Sequence, residues 1–222
     1  HSLGEYTALV CSGVLKFSDA VRLVRDRGRY MQQAVPQGTG GMAAILGLDS
    51  STIEKLCLEA AAGEIVSAAN YNSPEQTVIA GNVDAVARAT ELCKTAGAKR
   101  AILLPVSVPS HCALMKTAAM QLQHRLDEID FAQPQIPVLQ NVDAQARSSA
   151  EEIKAALVRQ LHQPVRWVDT INGLAGLDCQ MIIESGPGKV LAGLIKRINK
   201  DITTLVINDP ATFQQIIKET QT

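Results

Sequence analysis

The order of strands and helices between residues 40 and 105 constrains the fold more than any other feature. Four apolar runs have strand character, and two amphipathic stretches separate them as GMAAILGL, SSTIEKLCLEAAAG, EIVSAANY, EQTVIAG, NVDAVARATELCKTAG and KRAILLPV. The predicted order is β-α-β-β-α-β, which is that of the split βαβ or ferredoxin-like unit. Pro74 favours a tight turn between the middle strands. A unit of this size can be inserted into a larger domain, so residues 38–108 are expected to form a small subdomain.

The flanking residues also alternate between helical and strand patterns. This alternation predicts an α/β fold with a mostly parallel sheet, in which residues 1–37 and 109–222 form the larger core. Helices are predicted over residues 3–12, 18–35, 113–129, 151–161 and from about 165, and near 190–198. Strands are predicted over residues 136–142, 178–185 and 202–208.

Composition excludes several classes of function. The 222 residues carry a net charge of −1 and contain 3% aromatic residues, so neither a basic field nor a base-stacking surface points to nucleic acid. Apolar runs such as AILLPVSV are much shorter than the roughly 20 residues of a membrane helix. The composition is typical of a soluble globular protein that binds neither nucleic acid nor membranes.

The cysteines and histidines indicate neither a disulfide framework nor a metal site. The five cysteines are widely spaced and form no C-x-x-C pair, which suits a reducing, cytoplasmic compartment. The four histidines lack metal-ligand spacing. We therefore expect no metal and no cofactor.

The stretch HSLGEY at the start of the chain resembles a G-x-S-x-G nucleophile elbow without its first glycine. Ser2 is therefore a candidate nucleophile. The alternative is an ordinary serine near a chain end, since S-x-G is a common sequence. The motif alone does not decide between the two.

Arg27 interrupts the apolar stripe of the second predicted helix. Because a buried unpaired charge is costly, this guanidinium requires an anionic or carbonyl partner, either an internal acid such as Glu5 or a bound ligand. Ser18 is the predicted N-cap of the helix. The stripe itself consists of Ala20, Val24, Met31 and Ala34.

His111 lies between a predicted strand and a predicted helix, in VSVPSHCALM. At such a junction a histidine can point into a cleft and act as a general base. It can equally cap the following helix or face solvent. Asn141 and Gln160 are ordinary polar residues by sequence alone, although either can line a pocket or hold a histidine.

Seven stretches in order carry a family resemblance that extends from Ser2 to about Ile207. They are HSLGEYTALV, RDRGRYMQQAVPQGTGGMAAILGL, NYNSPEQTVIAG, LPVSVPSHCALM, QNVDA, LVRQLHQPVRW and ESGPGKVLAGLIKRI. Together they resemble the malonyl-CoA:acyl carrier protein transacylases of bacterial type II fatty acid synthesis. The resemblance implies an α/β-hydrolase-like core with a ferredoxin-like insert.

The resemblance implies a role for each matching residue. Ser2 would attack the malonyl thioester, with His111 as general base. The backbone carbonyl of Gln160 would orient the imidazole, and the amide of Leu3 would contribute to the oxyanion hole. Arg27 would bind the malonyl carboxylate. The malonyl carboxylate would then be the anionic partner that a guanidinium in an apolar stripe requires.

The resemblance also implies the substrate, the partners and the remaining contacts. The partners are malonyl-CoA and acyl carrier protein, and the enzyme would be a monomer. Lys189, Lys196 and Arg197 are candidates for a face that meets the acidic carrier, although a solvated helix explains them equally well. The substrate-binding residues would be Met31, Asn72, Ser107, Val108 and Asn141.

The same family has core strands and a second oxyanion donor before the elbow. The resemblance therefore implies that an N-terminal segment is missing from this sequence. Two other functions stay open at this point. One is a thioester or ester hydrolase of the same fold, and the other is a non-catalytic binding module that retains the elbow.

Overall fold

The computed structural model of the protein describes residues 1–106 and 108–220. It is an α/β protein that contains a parallel sheet, as predicted. Nine α-helices and six strands lie in the described ranges. No helix in those ranges is both long and apolar enough to span a bilayer.

The predicted β-α-β-β-α-β order is present, and its strands form one antiparallel sheet. The strands are β1 (Gly40–Leu46), β2 (Val66–Ser73), β3 (Gln76–Asn82) and β4 (Arg100–Leu103). The sheet order is β2-β3-β1-β4, so β1 is central and pairs with both β3 and β4. Two helices, α3 (Ser50–Ala61) and α4 (Val83–Thr95), connect the strands and pack against each other over one shared cluster of apolar side chains.

The remaining elements flank this sheet in the chain. Strands β5 (Met181–Ser185) and β6 (Thr203–Ile207) form a two-stranded parallel sheet. The helices are α1 (Gly4–Cys11), α2 (Phe17–Gln33), α5 (Lys116–Asp127), α6 (Ala150–His162), α7 (Trp167–Ala175), α8 (Val190–Ile198) and α9 (Pro210–Thr220). The last helix has no counterpart in the sequence-based prediction.

Two local predictions are wrong. No strand forms over residues 136–142, where a single bridge joins Leu139 to Ala146. Pro137 lacks the N–H that a ladder needs, and the chain turns back through Ala144 in the left-handed region at φ 57°. Ser18 is not the N-cap of α2, because the helix begins at Phe17 and Lys16 takes the extended cap position.

The core is divided into separate clusters of buried apolar side chains. The largest contains buried side chains between residues 6 and 31, from α1, α2 and the loop that joins them. It also contains buried side chains between residues 115 and 161, from the turn before α5, from α5 and α6, and from the segment between these two helices. A second cluster, under α3 and α4, draws only on residues 43–93. A third, which includes Met42, Ala69 and Cys112, covers part of the sheet next to His111.

Two hydrogen bonds fasten β2 to the chain that follows α6. The Val165 amide donates to the Ala69 carbonyl, and the Tyr71 amide donates to the Val165 carbonyl, each at 2.9 Å. This parallel bridge places the end of β2, which carries Asn72, beside the C-terminal end of α6. The residues that surround Ser2 are thereby brought together from distant parts of the chain.

Candidate active site

Ser2 lies in the turn that precedes α1, with its hydroxyl directed at an arginine. Its Oγ accepts a hydrogen bond of 2.6 Å from Nη2 of Arg27. Leu3 is the N-cap residue of α1. The Leu3 amide therefore lies at the positive end of the helix dipole, next to the serine.

His1 holds the backbone of Ser2 through its ring. Its Nδ1 accepts the amide hydrogen of Ser2 at 3.0 Å, so the ring proton lies on Nε2. That nitrogen donates to Oδ1 of Asn72 at 2.9 Å. The ring also lies 5.8 Å from the ring of Trp167. These contacts fix the turn that presents Ser2.

His111 is buried and held by two carbonyl groups at the end of α6. Its amide donates to the carbonyl of Leu161 at 3.1 Å, and its Nδ1 lies 2.6 Å from the carbonyl oxygen of Gln160. Because a carbonyl only accepts, the ring proton is on Nδ1 and Nε2 carries the free lone pair. The backbone is in the left-handed region at φ 64°, a strained conformation that is common at functional sites.

Burial keeps the His111 ring uncharged. It lowers the pKa of His111 to about 4, and the Arg27 charge acts in the same direction, against the hydrogen bond to Gln160. A neutral imidazole at physiological pH has a nitrogen ready to accept a proton. The His111 side chain caps neither of the helices that follow it, whose N-caps are Cys112 and Met115. Nor does it face solvent, since 4% of the residue is exposed.

Gln160 connects the other polar groups through its side chain. It lies on the buried face of α6, with no exposed surface. Its Nε2 donates to the Ser2 carbonyl at 3.1 Å and to Oε2 of Glu5 at 2.9 Å. Its Oε1 accepts from Nη2 of Arg27 at 3.2 Å. One glutamine therefore contacts the serine, the arginine, the acid and the histidine.

Arg27 reaches this site from the buried face of α2. It is 8% exposed, and its Cζ lies 5.6 Å from the ring centroid of Tyr6. No ion pair in the described part of the chain includes Arg27. The guanidinium therefore has hydrogen-bond donors left for an anion beside Ser2.

Glu5 is a site residue that the sequence suggested only as a partner of Arg27. Its Oε2 accepts the Asn141 amide at 2.8 Å as well as the Gln160 side chain. Burial raises the pKa of Glu5 to about 7, although both hydrogen bonds and the Arg27 charge lower it. The available signal was its position in the first turn of α1, three residues after Ser2.

The other predicted substrate-binding residues lie in several different environments. Met31 belongs to the largest apolar cluster, and Val108 packs partly against that cluster. Asn141 donates its amide to Glu5, while its Oδ1 is buried without a partner. Asn72 contacts His1. Ser107 lies outside the described residues.

The site therefore combines a hydroxyl group, an uncharged imidazole and a guanidinium in a mostly buried setting. Gln160 joins Ser2 and His111, with no direct hydrogen bond between the two among the described residues. A serine that a histidine base deprotonates can transfer acyl groups through a covalent ester. The family model described as the acyl transferase domain matches residues 1–208. The fold and the site together define the class as that of the acyl transferases.

Relatives with assigned names are highly similar over nearly the whole chain. The malonyl CoA-acyl carrier protein transacylase of Escherichia coli strain K12 is 56% identical over 213 residues, which are 96% of this chain and 69% of that protein. The one from Salmonella typhimurium is 54% identical, over 99% of this chain and 71% of its own length. The chain thus belongs to the acyl transferase family, in the group of malonyl CoA-acyl carrier protein transacylases.

Solved structures give the same result. The acyl carrier protein S-malonyltransferase of Vibrio cholerae superposes with a TM-score of 0.96 at 56% identity, covering 97% of this chain and 71% of that one. A complex of a type II PKS acyl-carrier protein with its malonyl-transacylase has a TM-score of 0.97 at 52% identity. It covers 99% of this chain and 71% of that one.

Proposed function

We propose that this protein transfers the malonyl group from malonyl-CoA to the phosphopantetheine thiol of acyl carrier protein, in fatty acid biosynthesis. The observation that carries the proposal is the 2.6 Å contact between Arg27 Nη2 and Ser2 Oγ. It places a guanidinium with free donors beside the hydroxyl that would hold the acyl group. A carboxylate at the far end of a short acyl chain is the partner that this arrangement fits.

The first half of the reaction forms a malonyl-serine ester. Ser2 Oγ attacks the thioester carbonyl while its proton passes to Nε2 of His111. The C–S bond then breaks, and His111 returns the proton to the coenzyme A thiolate. The carbonyl of Gln160 holds the imidazole in the tautomer that this step needs, in the place that an acid occupies in a Ser-His-Asp triad.

The second half reverses these steps with a different thiol. His111 takes the proton of the phosphopantetheine thiol, and the sulfur attacks the ester carbonyl. The Ser2–acyl bond breaks and Ser2 regains its proton. In both halves the Leu3 amide at the start of α1 donates to the oxyanion.

Arg27 determines which acyl group is accepted. A malonyl carboxylate takes up the free guanidinium donors, whereas an acetyl group leaves a buried cation unpaired. We assign further substrate contacts to Met31, Asn72, Ser107, Val108 and Asn141. The side-chain oxygen of Asn141, buried without a partner, supports its inclusion.

The architecture is proposed to consist of an α/β-hydrolase-like core, residues 1–37 and 109–222, with a ferredoxin-like subdomain at 38–108. In support, the cluster under α3 and α4 contains no residue from outside 43–101 even when its partly buried members are included. The strand order β2-β3-β1-β4 suits the same assignment. We propose a cytoplasmic monomer, in keeping with five free cysteines.

The test is the intact mass of the protein after brief exposure to malonyl-CoA. We expect one malonyl group per molecule, absent from Ser2→Ala and removed when holo acyl carrier protein is added. No adduct on the wild type, or an adduct that survives Ser2→Ala, would overturn the proposal. Release of free malonate without carrier protein, as fast as transfer with it, would identify a hydrolase instead.

A further inference from the structure

Glu5 is a buried carboxyl group that the transfer chemistry leaves without a role. It is 3% exposed, and the two groups that donate to it, the Asn141 amide and the Gln160 side chain, are both neutral. A buried acid normally requires a cation or a full set of donors. Here Oε1 of Glu5 has no hydrogen-bond partner. The position therefore retains a costly group for a reason other than stability.

The Gln160 amide satisfies its neighbours in only one orientation. Both Nε2 hydrogens are used, on the Glu5 carboxyl at 2.9 Å and the Ser2 carbonyl at 3.1 Å. Oε1 of Gln160 accepts a hydrogen bond from the Arg27 guanidinium. A rotation of 180° would set Oε1 against two acceptors and the amide nitrogen against a donor. Glu5 is one of the two acceptors that prevent this rotation.

Glu5 lies one amide away from Arg27 and not in direct contact with it. A carboxylate paired directly with Arg27 would occupy the guanidinium and compete with an anionic acyl group. The Gln160 amide contacts Nη2 only, at 3.2 Å, and the same nitrogen reaches Ser2 Oγ at 2.6 Å. The acid thus acts on the arginine through a neutral group, and the remaining donors stay free.

We infer that Glu5 is a positioning residue that sets the acyl-group selectivity of the site, because it holds Gln160 in the orientation that aims Arg27 at Ser2. The inference rests on the proposed function, since Arg27 would meet the carboxylate of the transferred group. Without the Glu5 acceptor, the Gln160 amide can turn and Arg27 loses the oxygen that fixes it. Transfer of an acyl group without a carboxylate does not depend on this alignment.

The test compares Glu5→Ala with the conservative variant Glu5→Gln in the complete enzyme. The readout is the ratio of kcat/KM for malonyl-CoA to kcat/KM for acetyl-CoA. We expect Glu5→Ala to lower this ratio about tenfold, the effect of one lost hydrogen bond to a charged group. Glu5→Gln should stay within about threefold of the wild type, because its amide oxygen still accepts both hydrogen bonds.

A second background separates positioning from general damage. In Arg27→Ala, the added Glu5→Ala change should leave the ratio unaltered, since the group that Glu5 aligns is absent. Glu5→Met, which fills a similar volume without an acceptor, should repeat the Glu5→Ala result if the alanine variant folds poorly. Thermal unfolding of each variant confirms that folded proteins are compared.

Three results would overturn the inference. They are an equal loss of malonyl and acetyl transfer in both Glu5→Ala and Glu5→Met, a Glu5→Gln ratio as low as that of Glu5→Ala, and a further fall of the ratio in the Arg27→Ala background. Failure of the proposed function would be seen separately, as the absence of a malonyl adduct on the wild-type protein.

Discussion

The carbonyl oxygen of Gln160 lies 2.6 Å from Nδ1 of His111. The side chain of the same glutamine accepts a hydrogen bond from Arg27 and donates one to the carbonyl of Ser2. The main chain of one residue thus orients the proposed base, and its side chain orients the proposed selectivity group. Because these contacts use different atoms, the two roles can be separated by mutation.

Replacement of His111 should remove transfer without unfolding the protein. We expect His111→Asn to lower kcat/KM about a thousandfold, since a positioned base typically contributes between a hundredfold and ten-thousandfold. Asparagine tolerates the left-handed backbone of this position better than alanine does. The matched control is His124→Asn on the exposed side of α5, which should transfer normally. A His111→Asn enzyme with more than a tenth of wild-type activity would rule out the base role.

The pH dependence of transfer should reveal a histidine that stays neutral in acid. Burial lowers the pKa of His111 to about 4 from 6.5. As the pH falls through this value, Nε2 gains a proton and no longer accepts the one from Ser2. We therefore expect kcat/KM for transfer to remain near its plateau at pH 5.5 and to fall only below about pH 5. A loss of half the activity near pH 6.5 would contradict this prediction.

Arg27 should matter for malonyl transfer far more than for acetyl transfer. We expect Arg27→Ala to reduce kcat/KM for malonyl-CoA at least about a hundredfold, or about 3 kcal/mol, as the bidentate carboxylate contact is lost. Acetyl transfer should change less than about threefold, since acetyl groups never pair with this guanidinium. Arg25→Ala, on the exposed side of the same helix, is the control. Equal losses for both substrates would make Arg27 a structural residue.

Periodicity was sufficient to predict the sheet, because the strand and helix patterns in residues 40–105 are local. The β-α-β-β-α-β order is confirmed in every element. The parallel pairing of β5 and β6 also follows from the helix between them. Pro137 and the left-handed turn at Ala144 instead override the apolar pattern of residues 136–142, so no strand forms there.

Site residues were predictable from the sequence where a motif or a broken pattern marked them, as the elbow marked Ser2 and the apolar stripe marked Arg27. Arg27 in an apolar stripe required a polar partner, and the structure supplies Ser2 and Gln160. Gln160 had no such signal, because its contact with His111 is made by a main-chain carbonyl that every residue type possesses. Glu5 was suggested only as a partner of Arg27, whereas its hydrogen bonds come from the Asn141 amide and the Gln160 side chain.

Glu5 and His111 should change the free energy of unfolding in opposite directions as the pH rises. The pKa of Glu5 is raised from 4.5 to about 7, so the folded state binds its proton more tightly and this group's contribution falls as the pH rises from 4.5 to 7. The pKa of His111 is lowered to about 4, so its contribution rises between pH 4 and 6.5. The two effects oppose each other in the wild type.

Single variants should reveal each effect. Relative to the wild type, Glu5→Gln should gain up to about 3 kcal/mol of unfolding free energy between pH 4.5 and 7. His111→Asn should lose a comparable amount, relative to the wild type, from pH 4 to 6.5. Urea unfolding at several pH values measures both. Curves that run parallel to that of the wild type would show that neither group titrates with a shifted pKa.

The antiparallel sheet should depend on a glycine in its third strand. A Cβ built on Gly81 lies 2.0 Å from the carbonyl oxygen of Ile65 and 2.6 Å from Cα of Val66. Both atoms belong to the backbone and cannot move aside without breaking the pairing of β2 with β3, so only glycine fits. We expect Gly81→Ala to lower the unfolding free energy by about 3 kcal/mol.

Gly41, directly opposite on β1, provides the matched control for this change. A Cβ there meets its nearest neighbour, Cα of Val83, at 3.5 Å, which is ordinary contact. Gly41→Ala should therefore change the unfolding free energy by less than about 1 kcal/mol. Urea unfolding of both variants at one pH gives the comparison. Equal effects at the two positions would mean that the close approach at Ile65 does not determine the choice of glycine, and that backbone entropy common to both strands does.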